Sequence, residues 1–259
     1  MDTGTTTQPT PTRPGTVHLV GGGRDEDAVV ALVQRFVAEA ADRGGTGDQA
    51  TVTALLVLEA DDDDGVERFS RVLTLAGARV AVRAIVEGEV FPRSALDGAD
   101  GLFVGGGLTP AYLAAFAEIA PRVRQRVQEG MPYLGFSAGA AIAAERAVIG
   151  GYLIDGVAVC DEDAGEELEE VTVVDGLGLV PFAVDVHAAQ WGTVSRLVAA
   201  VGAGLVDSGV AIDEHTVVRW SGADEAPTAV EGRGAAWQVA RGGDPAQGSV
   251  LVTRSPADG

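Results

Sequence analysis

The chain has 259 residues, of which 46% are hydrophobic, and it carries a formal net charge of −20 with a pI near 4.3. So acidic a protein is unsuited to binding a nucleic-acid backbone, and no apolar run approaches the roughly 18 residues that a membrane span needs. Cys160 is the only cysteine, which excludes an intramolecular disulfide, and no basic and apolar signal-peptide pattern opens the chain. We therefore expect a soluble, cytoplasmic protein that binds neither nucleic acid nor membrane, with an acidic surface that serves solubility.

The first 15 residues are rich in Thr, Pro and Gly and are expected to form a disordered leader. Residues 16–254 are expected to form one α/β domain. It opens with a short apolar strand at residues 16–20, the triple glycine Gly21-Gly22-Gly23, and a helical pattern over residues 26–43. Because the glycines do not complete a dinucleotide-binding fingerprint, a tight connection near the active edge is favoured over phosphate binding.

Three further predicted strands, at residues 52–58, 79–86 and 101–104, alternate with helical patterns. The near-continuous apolar run at residues 52–58 is typical of a parallel strand that is covered on both faces. The alternation predicts a doubly wound, mostly parallel sheet flanked by helices. Four aspartates at residues 61–64 precede a helical pattern and are read as a solvated helix start in preference to a metal site. Thr109 and Pro110 are predicted as the N-cap and first residue of the next helix.

Residues 131–144 contain the pattern Gly135-x-Ser137-x-Gly139 between an apolar run and an alanine-rich segment. A serine in a strained strand-to-helix turn, with small residues two positions away on each side, is the context of a nucleophile elbow. Its hydroxyl would project at the N-terminus of the helix, where developing negative charge is stabilised. The alternative is an ordinary turn in which the serine only caps the helix.

Beyond this point the elements become shorter. Residues 148–159 are predicted as short strands, residues 161–170 as an acidic, mobile loop, and residues 171–174 as another strand. A strand over residues 182–187 delivers His187 at its end, and a helix is expected over residues 191–201. The tail from residue 210 to 253 alternates short β runs with glycine-rich turns, which predicts an antiparallel extension of the main sheet.

A serine nucleophile requires a base, and the chain contains three histidines. His18 lies within the first strand, and His215 is assigned to a hairpin surface. His187 lies at a strand end, where parallel α/β sheets collect their sites, so it is the predicted base. The residues alone leave its carboxylate partner open among Glu145, Asp155, Asp161 and Asp185.

Several motifs together resemble the cyanophycinase and aspartyl dipeptidase (peptidase E) group, which has the class I glutamine amidotransferase-like fold. They are, in order, residues 105–107, 135–140, 176–180, 185–187 and 211–216. The resemblance covers about residues 16–220 and implies a serine peptidase with Ser137 as nucleophile and His187 as general base. It points to Asp155 as the acid, because the family draws its acid from the region about fifteen to twenty residues after the serine. The oxyanion hole would come from Gly106, Gly107 and the N–H of Ala138.

The chain also departs from this pattern. Leu108 replaces a polar residue after the glycine turn, and Trp191 and Thr193 stand where the family has arginines, which leaves only Arg196. The expected substrate-binding residues are Leu108, Asp185, Gln190, Trp191 and Arg196. The pocket should therefore be more apolar than that of a cyanophycinase, and the protein should cleave cyanophycin weakly or not at all.

The expected substrate is therefore a small peptide or isopeptide, with no cofactor or metal, and a homodimer is left open. A catalytically idle binding or partner module is the alternative. A lipase-like esterase is disfavoured, since no His-Gly-Gly-Gly motif or late histidine is present.

Overall fold

A computed structural model describes residues 13–44, 49–59, 64–222, 227–242 and 249–258. The predicted leader falls outside these ranges up to residue 12, as do three of the four aspartates, residues 61–63. Gly15 already belongs to the fold, because its N–H donates to the carbonyl of Val127 at 2.8 Å. The fourth aspartate, Asp64, is the first residue of a helix, as predicted.

The predicted alternation of strands and helices is confirmed. The helices of the described residues are α1 (Glu26–Gly44), α2 (Asp64–Leu75), α3 (Thr109–Ala115), α4 (Ala120–Gln128), α5 (Ala138–Ala141) and α6 (Thr193–Ala203). The strands are β1 (Val17–Val20), β2 (Thr51–Leu58), β3 (Arg79–Val86), β4 (Gly101–Val104), β5 (Tyr133–Phe136), β6 (Arg146–Gly150), β7 (Leu153–Ile154), β8 (Val157–Ala158), β9 (Thr172–Asp175), β10 (Ala183–Val186), β11 (Ser208–Ile212), β12 (Thr216–Trp220), β13 (Ala229–Gly232), β14 (Ala235–Arg241) and β15 (Val250–Pro256).

Within the described residues the main sheet has seven strands in the order β13-β12-β1-β5-β4-β2-β3. The five strands from β1 to β3 in this order run parallel, whereas β12 and β13 are antiparallel. Successive residues of each parallel strand enter opposite cores: Leu19 packs in the core that contains α3 and α5, and Val20 in the core that contains α1 and α2. Helices thus cover both faces, as expected for this fold class.

The tail only partly follows its prediction. Strands β12 and β13 do extend the main sheet, but β14 and β15 join β10 and β11 in a second sheet of order β10-β11-β14-β15. The reason is a parallel pairing of β10 with β11, which α6 connects on one side in a β–α–β unit. This second sheet places the ends of β10 and β11 against the end of β1.

No helix among the described residues is long and apolar enough to cross a membrane.

Candidate active site

Ser137 lies in a strained turn between β5 and α5, with φ 51° and ψ −112°. The flanking glycines are required by close backbone contacts. A Cβ on Gly135 would lie 2.3 Å from the carbonyl oxygen of Gly139, and a Cβ on Gly139 would lie 2.4 Å from that of Val104. The following helix ends at Ala141, so the alanine-rich segment contributes only about one helical turn.

His187 follows β10 directly and contacts Ser137. Its Nε2 lies 2.8 Å from Ser137 Oγ, and its backbone, with φ 54°, is held by a hydrogen bond from its N–H to the carbonyl of Gly21. The imidazole packs so closely on the triple glycine that a Cβ on Gly22 would lie 2.2 Å from its Cε1. The glycines after β1 therefore form a wall of the site.

The carboxylate that contacts His187 comes from Glu214, whose Oε1 lies 2.7 Å from His187 Nδ1. A carboxylate only accepts hydrogen bonds, so Nδ1 carries the proton, and Nε2 is left to accept the hydroxyl proton of Ser137. Burial lowers the pKa of His187 below its usual value, and the bond to Glu214 opposes this effect. The imidazole is therefore neutral at neutral pH and able to accept a proton.

The structure does not bring the predicted acid, Asp155, to His187. Asp155 is exposed on the turn between β7 and β8, where its φ is 51°. Asp161 instead accepts a hydrogen bond from the N–H of Asp163 in a short 3-10 helix, and Glu145 is exposed. Glu214 was missed because the register that brings it to His187 is a tertiary feature: β10 pairs in parallel with β11 so that Val186 lies opposite Ile212.

Asp185 and Arg196 do not face the cleft as predicted. They form a buried bidentate ion pair, with Arg196 Nε and Nη2 at 2.9 and 2.7 Å from the Asp185 carboxylate, and are 1% and 4% exposed. Arg196 Nη1 also donates to the carbonyls of Gly151 and Ala164. The pair thus attaches the β6–β7 connection and the acidic loop to β10.

The acidic segment 161–170 was predicted to be mobile, yet it is anchored at a second point. Glu166, with φ 55°, accepts a hydrogen bond from the N–H of Thr109 at 2.9 Å. The helix α3 begins at Thr109, and Leu108 is its N-cap residue without a side-chain bond, so the predicted capping by Thr109 was wrong by one residue. The Glu166 carboxylate takes the place of a capping side chain, because it accepts the hydrogen bond from the free N–H at the start of α3.

The glycine turn after β4 lies beside Ser137. A Cβ on Gly106 would lie 2.9 Å from the Cβ of Ser137, whereas one on Gly107 would approach the ring of Tyr112. The N–H groups of Gly106 and Ala138 donate to no acceptor among the described residues. Both are adjacent to the serine and are available to an oxyanion.

Trp191 and Gln190 lie on the turn after His187, ahead of α6, which begins at Thr193 and not at residue 191 as expected. The indole of Trp191 stacks on the His187 imidazole with ring centroids 3.9 Å apart and an angle of 9° between the planes. The side-chain oxygen of Gln190 accepts a hydrogen bond from the N–H of Glu214. Both residues therefore contact the catalytic candidates directly.

The other histidines have different surroundings. His18 is fully buried in β1, and its Nε2 lies 2.9 Å from Glu39 on α1, which fits the predicted structural role. His215 lies at the rim of the cleft and not on a hairpin surface. Its Nε2 accepts a hydrogen bond from the N–H of Asp25, and its ring packs on Gly23.

A cationic residue that the sequence did not single out lines the cleft beside Ser137. Arg68 on α2 is half-buried, with its guanidinium 5.1 and 5.4 Å from the ring centres of Phe69 and Phe136. Its Nη2 donates to the carbonyl of Gly23, and among the described residues it has no carboxylate within ion-pair distance. Burial lowers its pKa, but a guanidinium remains charged. No group of three or more metal-ligating side chains occurs in the described ranges.

Comparisons with known proteins agree with this geometry. Residues 53–226, more than half of the chain, match the model of peptidase family S51. The fold is similar to the crystal structure of a peptidase from an acI-B1 Actinobacterium, with 14% identity and a TM-score of 0.57 over 95% of this chain and 96% of that one. It is also similar to a putative peptidase E protein from Listeria monocytogenes, with 16% identity, a TM-score of 0.50, and coverage of 93% and 99%. A search of the curated proteins gave no match.

Proposed function

Since the chain belongs to peptidase family S51, it is a serine peptidase of the peptidase E type, and we propose that Ser137, His187 and Glu214 form its catalytic triad. The observation that carries this proposal is the continuous pair of short hydrogen bonds, 2.8 Å from serine to histidine and 2.7 Å from histidine to glutamate. Family membership and this arrangement favour the peptidase over the idle binding module.

In this mechanism Ser137 Oγ attacks the carbonyl carbon of the scissile amide while His187 Nε2 takes the hydroxyl proton. Glu214 stabilises the imidazolium that forms, and the N–H groups of Gly106 and Ala138 hold the oxyanion. His187 then donates the proton to the leaving amine. Water, activated by the same imidazole, hydrolyses the acyl-enzyme. The strained turn acts as a nucleophile elbow, because it exposes the serine hydroxyl to base and substrate together.

The proposed substrate is a small peptide or isopeptide with a carboxylate close to the scissile bond. Arg68 supports this, because it is a half-buried cation that lines the cleft on both the Ser137 and the His187 side. The expected apolar pocket is thereby modified: Leu108 is the N-cap residue of α3 and Trp191 stacks on the proposed base, while the cationic anchor comes from α2. An Arg–carboxylate contact of this kind contributes about 1.5–3 kcal/mol.

Labelling by a fluorophosphonate probe tests the nucleophile. Ser137→Ala should abolish labelling and leave the melting temperature within a few degrees, whereas Ser195→Ala, a change on the first turn of α6, should label like the wild type. Mass spectrometry of the labelled peptide identifies the modified serine. Labelling that persists in Ser137→Ala would exclude this residue as the nucleophile.

Arg68→Met tests the substrate proposal on a panel of short peptides with and without a carboxylate next to the scissile bond. We expect a ten- to hundredfold loss in kcat/KM for the acidic peptides only. Arg122→Met is the control, because Arg122 is an arginine of α4 that pairs with Asp97 and does not line the cleft beside Ser137. An equal loss for acidic and neutral peptides would contradict the carboxylate role.

A further inference from the structure

The stack of Trp191 on His187 is not a consequence of core packing. Trp191 is 45% exposed and belongs to none of the hydrophobic clusters of the described residues. The turn that carries both rings is fixed by other bonds, since the N–H of Ala189 donates to the buried carboxylate of Asp213 at 3.0 Å. A large apolar side chain is therefore kept half in water, face to face with the base, where the fold does not need it.

Resting on the triad proposed above, we propose that Trp191 is a positioning residue that stabilises the imidazolium form of His187 during catalysis. The face of an indole carries negative electrostatic potential and attracts a cation more strongly than a neutral ring. His187 is neutral before the proton transfer and positive after it. The contact is therefore stronger in the transition state than in the free enzyme, which is the condition for an interaction to raise the rate.

The geometry suits this role. The two ring planes are nearly parallel and their centroids lie 3.9 Å apart, so the imidazole lies over the indole and its positive charge faces that ring whichever nitrogen carries the proton. On another side the imidazole touches Gly22. Held between these two groups, the ring keeps Nε2 directed at Ser137 while Nδ1 meets Glu214.

Other charged or titratable groups surround His187 and must stay constant in a test. Electrostatic interactions with it come from Glu214 on the β11–β12 turn, Asp185 in β10 and Arg196 on α6. His215, Arg24, Asp25 and Arg68 line the same cleft. Among the described residues, none of these cations forms a cation–π contact with Trp191, so substitution of the indole removes no such contact from them.

The test compares wild type, Trp191→Phe and Trp191→Leu by the pH dependence of Ser137 modification with a fluorophosphonate. This reaction needs the same base and does not depend on the natural substrate. Leucine still covers the imidazole from water but lacks a π face, whereas phenylalanine retains a weaker one. In Trp191→Leu, we expect the acidic limb of the pH–rate profile to move to lower pH by about half to one unit and the plateau rate of modification to fall about three- to tenfold. Trp191→Phe should give values between those of Trp191→Leu and the wild type.

A purely structural role would lower the plateau without moving the limb to lower pH, so a fixed limb, or a shift to higher pH, in Trp191→Leu would overturn the proposal. If that variant does not fold, Trp191→Phe against wild type decides on the same criterion. Absence of any labelling in the wild type would instead refute the proposed nucleophile. In that event an NMR titration of the His187 ring in the wild type and in Trp191→Leu still tests the effect of Trp191 on the imidazolium. The chain has only three histidines to assign, and His187→Gln removes the signal of one of them.

Discussion

Replacing Glu214 by Gln removes the negative charge beside His187 and keeps the shape of the side chain. The carboxylate oxygen lies 2.7 Å from Nδ1, and the two side chains are 22% and 9% exposed. At an effective dielectric constant of about 20, unit charges roughly 4 Å apart interact by about 4 kcal/mol. Loss of this energy in the transition state corresponds to about a 1000-fold decrease in rate, so we expect kcat/KM to fall by about 100- to 1000-fold.

The measurement is the second-order rate of Ser137 modification by a fluorophosphonate, together with turnover of any peptide that the wild type cleaves. Asp155→Asn is the matched control, because it also neutralises one carboxylate and this residue is exposed on the β7–β8 turn. Its rate should stay within about twofold of the wild type, since the charge is solvated. A large loss in Asp155→Asn with normal activity in Glu214→Gln would refute the assignment of the acid.

Three further predictions concern the surroundings of the triad. Gly22→Ala should abolish labelling because its Cβ would overlap the His187 ring, whereas Gly88→Ala, also at positive φ but with no atom near the added Cβ, should cost about 1–2 kcal/mol of stability and no activity. Arg196→Met should lower the free energy of unfolding in urea by about 3–5 kcal/mol, because its buried partner Asp185 loses its ion pair. Arg146→Met is the control and should change this free energy by less than about 1 kcal/mol, because its ion pair with Asp175 is exposed. Because burial lowers the pKa of His187, the acidic limb of the labelling rate should lie below about pH 6.5, and a limb above that value would contradict a buried neutral base.

The parts of the fold that follow from local pattern were predictable. Strands β2 and β4 are near-continuous apolar runs, and both Ser137 and His187 stand at strand ends that local sequence marks. The proposed acid was not predictable in this way. Glu214 reaches His187 only through the parallel register of β10 and β11, and no spacing within the sequence encodes that pairing.

Two other features depended on tertiary contacts that a sequence does not display. The acidic loop is anchored because the N–H of Thr109 offers a bond to Glu166, and because two carbonyls in the connections around it accept from Arg196. Arg68 lies on a solvent-facing position of an amphipathic helix pattern and gave no signal of its own. Only the three-dimensional fold shows that this position borders the nucleophile.

The position of β1 has a consequence for shortened forms of the protein. The family match begins at residue 53, but β1 lies inside the main sheet, hydrogen-bonded to β12 on one side and β5 on the other. A fragment trimmed to residues 53–226 would lack this strand, the glycines that wall His187, and the strands β14 and β15 that pair beside β11. Its remaining strands would split into unconnected groups with apolar edges exposed to water, so the fragment should aggregate on expression although it retains all three proposed triad residues.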